Sequence, residues 1–415
     1  MNLSPQLGST PSGPRIAVLG GGIGGLAAAA FLHRAGLHAI VFEQAPALGE
    51  VGAGLVVSPN AMRLIRRLGH LDSFLEEAVP LEVGWEFRRW ENGEVLSAEQ
   101  LTARCEDLYG ERTYVAHRAD LLRALTAAVP EEWLRLGKRC IDVTQHSAGA
   151  ELKFDDGTVF SADVVIGADG VHSVVRGTIA QAEPPEYSGM CAYRAIVPAE
   201  AAPEFARCPA QTLWIGPDHH LVHYPISGGK AVNLVAFGPA GDFTEESWST
   251  KATIEEFLAE FAGWDPRLTD LIRAGGTPGR WALLDRAPLK QWSHGRITLL
   301  GDAAHPMFPF FAQGAAQAIE DAAVLAQCLA ADPDSPASAL KAYEQLRIER
   351  TTKIQQLSHA RKDINHLPDG PAQQERDAAL AQGDPLVKNG WLYGYDAELR
   401  GKEAYAAIAP GPELD

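Results

Sequence analysis

The chain has 415 residues, with 36 Lys+Arg against 53 Asp+Glu for a formal charge of -17, and 46% of its residues are hydrophobic. That acidity excludes nucleic acid or an anionic membrane as the main partner, since both attract cationic surfaces, and no apolar run approaches the roughly 20 residues of a spanning helix. Five scattered cysteines, Cys105, Cys140, Cys191, Cys208 and Cys328, form no C-x-x-C pair, so neither a disulfide framework nor a metal site is suggested and a reducing cytoplasm fits.

Residues 1–13 lack the basic and apolar regions of a signal peptide and are expected to be a flexible leader. Arg15–Leu19 is a short apolar strand that leads into Gly20–Gly25, an Ala-rich helix over Leu26–Ala35 and a second strand over His38–Glu43, together a β-α-β unit. Ser58 is placed as the N-cap of a helix reaching Leu68, with Pro59 at its first position and Gly69 as its stop. A helix over His117–Val129 precedes two strand candidates and the apolar strand Asp163–Ile166. Between about 185 and 285 the pattern changes to short strands, Tyr193–Val197, Thr212–Ile215, Leu221–Tyr224 and Val232–Phe237, which suggest a separate, substrate-facing sheet. Arg296–Leu300 then runs into Gly301–His305, a helix over Gly314–Ala330 and another over Pro336–Ala360. The stretch 366–386 is polar, and the aromatic tail Asn389–Glu398 is expected to pack back on the body.

Gly20-Gly21-Gly22-Ile23-Gly24-Gly25 satisfies G-x-G-x-x-G after a strand and at the mouth of a helix, with Glu43 ending the next strand. Gly20 permits the tight turn, Gly22 lets the backbone approach a pyrophosphate, Gly25 lets helix and sheet pack closely, and Glu43 can take ribose hydroxyls. This motif alone does not choose FAD over NAD. Two later stretches, Gly167–Arg176 (GADGVHSVVR) and Gly301–Pro306 (GDAAHP), also follow apolar strands, where loops at the carboxyl ends of a sheet gather ligands. An Asp at such a strand end accepts hydroxyls, as Asp169 and Asp302 could, although Asp302 could equally cap a helix. Arg118 could neutralise phosphate or form a surface ion pair. Gly314-Ala315-Ala316 opens a helix whose free amides suit a site of developing negative charge, or merely close helix packing.

With these three ordered motifs the sequence resembles the group A flavin-dependent aromatic hydroxylases, the family of para-hydroxybenzoate hydroxylase, from Arg15 to about Ala360. It is most similar to the salicylate, 3-hydroxybenzoate and 6-hydroxynicotinate hydroxylase branch, through Glu50–Gly54, Ser58–Ala61, His117–Leu121 and Ala312–Ala322. The resemblance implies an α/β fold: a Rossmann-like, GR2-type FAD-binding domain with an interleaved α+β substrate domain carrying a mostly antiparallel sheet, and C-terminal helices. The FAD-binding part would take 14–78, 116–180 and 286–365, the substrate part 79–115 and 181–285, and 366–415 would be the tail. It further implies non-covalent FAD held by Gly20, Gly22, Ile23, Gly25, Glu43, Gln44, Val56, Arg118, Asp169, Asp302 and the Gly314, Ala315, Ala316 turn. NADH or NADPH would donate electrons without a Rossmann domain of its own, and O2 would add at flavin C4a to give the hydroperoxide that hydroxylates a phenol-like ring.

On the strand around Leu221, alternation puts His220, Val222 and Tyr224 on one face and His219, Leu221 and His223 on the other. The spacing of His220 and Tyr224 matches the His and Tyr that line the aromatic-substrate pocket in the 3-hydroxybenzoate and 6-hydroxynicotinate enzymes, where either could take or relay a phenolic proton. A core histidine and an anchored tyrosine remain the plainer alternative. Val56, Val222, Pro306, Met307 and Phe310 are the expected pocket lining. Val56 and Pro309-Phe310-Phe311 replace polar residues common in relatives, which suggests a more apolar substrate; His305 borders the pocket or is structural. A larger natural-product ring, or a flavin redox sensor or NAD(P)H oxidase without substrate, are the rival functions. The partners expected are a small aromatic substrate and, at most, a second copy of the chain.

Overall fold

The computed structural model describes residues 13–49, 53–180, 185–243 and 250–408, so leader residues 1–12 and Glu50-Val51-Gly52 of the quoted motifs lie outside the described residues. Ile16–Leu19, buried throughout, runs through a six-stranded sheet ordered Ser293–His294, Ile297–Leu299, Val164–Gly167, Ile16–Leu19, Ala39–Phe42, Leu134–Arg135. Every pairing is parallel except that of the edge strand Ser293–His294. Parallel strands need cover on both faces. Helices Ile23–Arg34 and Gly314–Ala331 pack on each other in this core, and a three-stranded sheet, Cys140–His146, Gly149–Phe154 and Val159–Ala162, adds Leu152 and Phe154 to it.

The first helix starts at Ile23, three residues before the predicted Leu26, because Gly24 and Gly25 belong to the helix and not to the loop. A Cβ on Gly25 would stand 1.9 Å from the Gly20 carbonyl oxygen, so a side chain there would push helix and strand apart. Gly20 itself sits at φ +107°, which an L side chain rarely adopts.

The second sheet has seven strands, ordered Gly279–Asp285, Glu186–Pro198, Ala231–Pro239, His220–Ile226, Ala210–Ile215, Val83–Arg89, Val95–Gln100. It is antiparallel apart from the pair Val83–Arg89 and Ala210–Ile215. One face packs Leu221 and Trp214 against helices Ile254–Glu260 and Pro266–Ala274, through Phe257, Leu268 and Leu271. The other receives the loop from Ala304 to Ala312 and the long helix Pro336–Asn365, which outruns its predicted end at Ala360.

Ser58 holds the N-cap position of helix Pro59–Arg66 without capping it: its hydroxyl donates to Asn60 Oδ1 at 2.7 Å and accepts from Gln313 Nε2 at 3.0 Å. The polar stretch 366–386 contains helix Pro371–Leu380 and the start of helix Pro385–Lys388, each opened by a proline. The aromatic tail is docked, with Leu392 and Tyr393 buried. Tyr393 donates to Glu99 Oε2 at 3.1 Å, and Asn389 donates to Glu99 Oε1 at 2.8 Å. No helix among the described residues is long and apolar enough to cross a membrane.

Candidate active site

The turn after the first strand is shaped for an elongated anionic group. A Cβ on Gly22 would meet nothing within 4 Å, which leaves the helix mouth open, and the amides of Ile23 to Gly25 have no acceptor inside the helix. Glu43 is already engaged: Oε2 accepts from Gly21 N at 2.6 Å and Oε1 from Ala45 N at 2.8 Å, so a ribose would use the remaining lone pairs. Gln44 is exposed beside it. Arg118 lies at the first position of helix Arg118–Ala127, its amide bonded to Ala53 O at 3.0 Å and its side chain exposed. These features fit the pyrophosphate and ribose of FAD.

Asp169 turns inward. It accepts from the Ser173 hydroxyl and from Val174 N at 2.8 Å, which ties down its own loop, and burial raises its carboxyl above the ordinary range. Asp302 does the opposite. It is exposed on the turn Gly301–Ala303, whose N-cap is Leu300 and which has no side-chain cap bond. The helix-capping alternative therefore has no bond to support it, and a free carboxylate stands where a polyol chain could donate. Gln313 likewise does not cap helix Gly314–Ala331, and a Cβ on Gly314 would meet only Met307 Cγ at 4.0 Å, so the first amides of that helix remain available.

Behind this surface lies a polar network that the motifs did not reveal. Arg176, buried, donates to Ala303 O at 3.1 Å and so joins the second motif to the third. His305 faces the interior and pairs with Asp321 at 2.6 Å; it is structural. Arg347, fully buried, bonds Asp321 at 2.7 Å, Glu320 at 2.7 Å and Gln317 at 2.8 Å, while Asn60 reaches Glu320 at 2.7 Å. Pairing of this kind offsets the cost of burying these charges.

The second sheet brings His220, Val222 and Tyr224 to the face that meets the Ala304–Ala312 loop. Val222, Tyr224, Val56 and Met307 share one apolar cluster with Trp85, Phe87 and Phe311. His220 stacks on Phe237 at 4.6 Å and meets Phe310 edge-on at 4.9 Å. Pro306 is buried and its carbonyl accepts from Gln355 at 2.8 Å, so it fixes the loop. Tyr224 packs against the strand Gly54–Val57: a Cβ on Gly54 would collide with its ring at 2.5 Å. His223 points the other way, accepting from Trp214 Nε1 at 3.2 Å beside Phe205.

His366, which the sequence did not single out, brings Nε2 to 2.5 Å from Nδ1 of His220. It also lines a surface cavity with Met190, Asp218 and Lys362. Burial, then the His366 and His219 rings, hold His220 well below the usual imidazole value, and burial takes His366 down to about 3. Both are neutral at pH 7, so one ring donates and the other accepts. Burial pushes the Tyr224 phenol up, which keeps it a donor.

The chain has well-covered counterparts among known proteins. A family model described as FAD binding domain matches residues 15–358. The chain is 41% identical over 384 residues to a 3-amino-4-hydroxybenzoate 2-monooxygenase of Streptomyces platensis, covering 92% of this chain and 96% of that protein. It is 38% identical to 3-hydroxybenzoate 6-hydroxylase 1 of Aquipseudomonas alcaligenes, over 91% of this chain and 97% of that one. Among solved structures, a salicylate hydroxylase substrate complex superposes with a TM-score of 0.81 at 28% identity, covering 98% of this chain and 100% of that one.

Proposed function

Because the chain belongs to the FAD binding domain family of flavin-dependent aromatic hydroxylases, we propose that it hydroxylates a hydroxybenzoate-type ring with His220 and Tyr224 at the reacting phenol. It is an FAD-dependent monooxygenase that uses NAD(P)H and O2. When bound, the flavin supplies the two electrons taken from NAD(P)H and the activation of O2. Gly20, Gly22, Ile23, Gly25, Glu43, Gln44 and Arg118 would hold its adenosine and pyrophosphate, Asp302 its polyol chain, and Val56 with the Gly314-Ala315-Ala316 turn its ring, while Asp169 keeps the second motif in shape. This division follows the two sheets, with 79–115 and 181–285 as the substrate part. The five free cysteines suit a reducing cytoplasm.

The observation that carries the substrate side is the strand His220–Ile226, which turns His220 and Tyr224 toward the aromatic-lined loop and His223 away from it. Tyr224, kept protonated, donates a hydrogen bond that orients the phenolic oxygen. His220 Nδ1 and His366 Nε2 form a path along which the phenolic proton leaves the pocket for the surface cavity. A phenolate beside His220 favours the charged imidazole and restores the basicity that burial removes. Phe237, Phe310 and Met307 exclude water from the ring.

A panel of hydroxybenzoates and aminohydroxybenzoates, scored by stimulated NAD(P)H oxidation and by a product heavier by one oxygen, tests the reaction. His220→Ala and Tyr224→Phe should retain flavin and its reduction while product formation falls about 100-fold or more and hydrogen peroxide replaces it. His223→Ala, compared per bound flavin, should stay coupled. The reverse pattern would assign the pocket to the other face of the strand.

A further inference from the structure

The long helix Pro336–Asn365 carries three inward-facing arginines, and two of them are paired. Arg347 meets Glu320 and Asp321, and Arg350 meets Glu320 at 2.8 Å. Arg361 is different. Its guanidinium lies 5.6 Å over the ring of Trp85 and 5.4 Å over that of Phe87, and among the described residues no carboxylate pairs with it. Burial lowers its pKa, and Tyr393 is the one neighbour that opposes this. Trp85 is itself unusual. It sits at φ +42° in a bulge of its strand, where the pairing register shifts between Gly84 and Phe87. A bulky residue keeps such a backbone only where its surroundings over-determine it. Trp85 lies 6.0 Å from Phe311, in the cluster that holds Val222, Tyr224, Val56 and Met307.

Arg361 is half-buried, and a largely desolvated cation without a counter-ion is costly. Its aromatic neighbours offset part of that cost and leave the donor fork without an anion. We propose that Arg361 binds the carboxylate of the aromatic substrate, with the ring held between Trp85, Phe311 and the Tyr224 strand. The inference rests on the hydroxybenzoate reading above and deepens it. The apolar residues Val56 and Pro309-Phe310-Phe311 suggested a substrate without polar handles, but the handle comes from a helix about 50 residues further along. An Arg–carboxylate pair is bidentate, so it fixes the direction of the ring as well as its affinity.

The test titrates the FAD-loaded enzyme with 3-amino-4-hydroxybenzoate and with its carboxamide, following the flavin absorbance. Wild type should bind the carboxylate roughly 30-fold or more tightly than the carboxamide, the scale of a buried charge pair. Arg361→Met should bind both equally weakly, Arg361→Lys should fall between, and KM for NAD(P)H should not move. Without substrate, Arg361→Met should melt at or above the wild-type temperature, because an unpaired, half-buried charge has gone, and the carboxylate should no longer raise its Tm. An Arg361→Met enzyme that keeps the preference for carboxylate, or that changes only its KM for NAD(P)H, would overturn the anchor alone. A wild type that hydroxylates phenols but neither binds nor hydroxylates carboxylated ones would overturn the substrate reading and the anchor together.

Discussion

Asp302 shows how one side chain's lack of internal work becomes informative. Its carboxylate is exposed and caps nothing, so its loss should leave the fold intact. Asp302→Ala should weaken FAD binding about 5- to 100-fold, the worth of one hydrogen bond to a group left buried, with apo-protein Tm unchanged. A drop in Tm with FAD affinity intact would instead make Asp302 a structural residue. Residues whose role comes from local geometry were legible in the sequence. Gly20 and Gly25 follow from a turn that must reverse tightly beside a helix, and His220 and His223 were separated by simple alternation. Arg361 and His366 were not legible. What marks Arg361 is the absence of a partner, and what marks His366 is a neighbour 146 residues away; neither leaves a pattern along the chain.

At the level of elements, the docked tail is the least expected support of the substrate layer. Its aromatic residues announced burial, but not that Asn389 and Tyr393 would clamp Glu99 on the edge strand Val95–Gln100. Burial raises the Glu99 carboxyl from an ordinary 4.5 to about 7, outweighing those two donors. The folded state therefore holds a proton that the unfolded chain has released between these values, and stability falls as pH rises through that window. The loss is on the order of 3 kcal/mol across the window. Urea unfolding from pH 5 to pH 8 should show wild type losing stability relative to Glu99→Gln. Parallel pH profiles for the two proteins would show that Glu99 titrates normally. Helix boundaries were less legible than helix existence. The first helix absorbed two glycines because the Gly20 carbonyl lies against it, a contact that helix propensity does not encode.

For the whole molecule, the alternation of β-α-β units with a run of short strands did reveal two layers. The strand pattern did not itself show Val83–Arg89 as the parallel neighbour of Ala210–Ile215, although the resemblance put 79–115 in the substrate part, because the first-layer segment 116–180 intervenes between the two strands. The strand order also has a consequence in time. A ribosome makes Ile297–Leu299 only after every strand of the second sheet, yet that strand covers one side of Val164–Gly167, whose residues are all buried in the finished protein. Until then the nascent chain carries a bare apolar edge, the kind of surface that recruits other chains. A chain stopped after Leu289 would contain all seven strands of the second sheet and still lack this cover. It should come out of the cell insoluble or be cut within the first sheet, whereas recovery of a soluble, protease-resistant fragment would mean that the first sheet closes without its last strands. That edge of the first sheet is thus covered only after residue 299 of the 415 has been made.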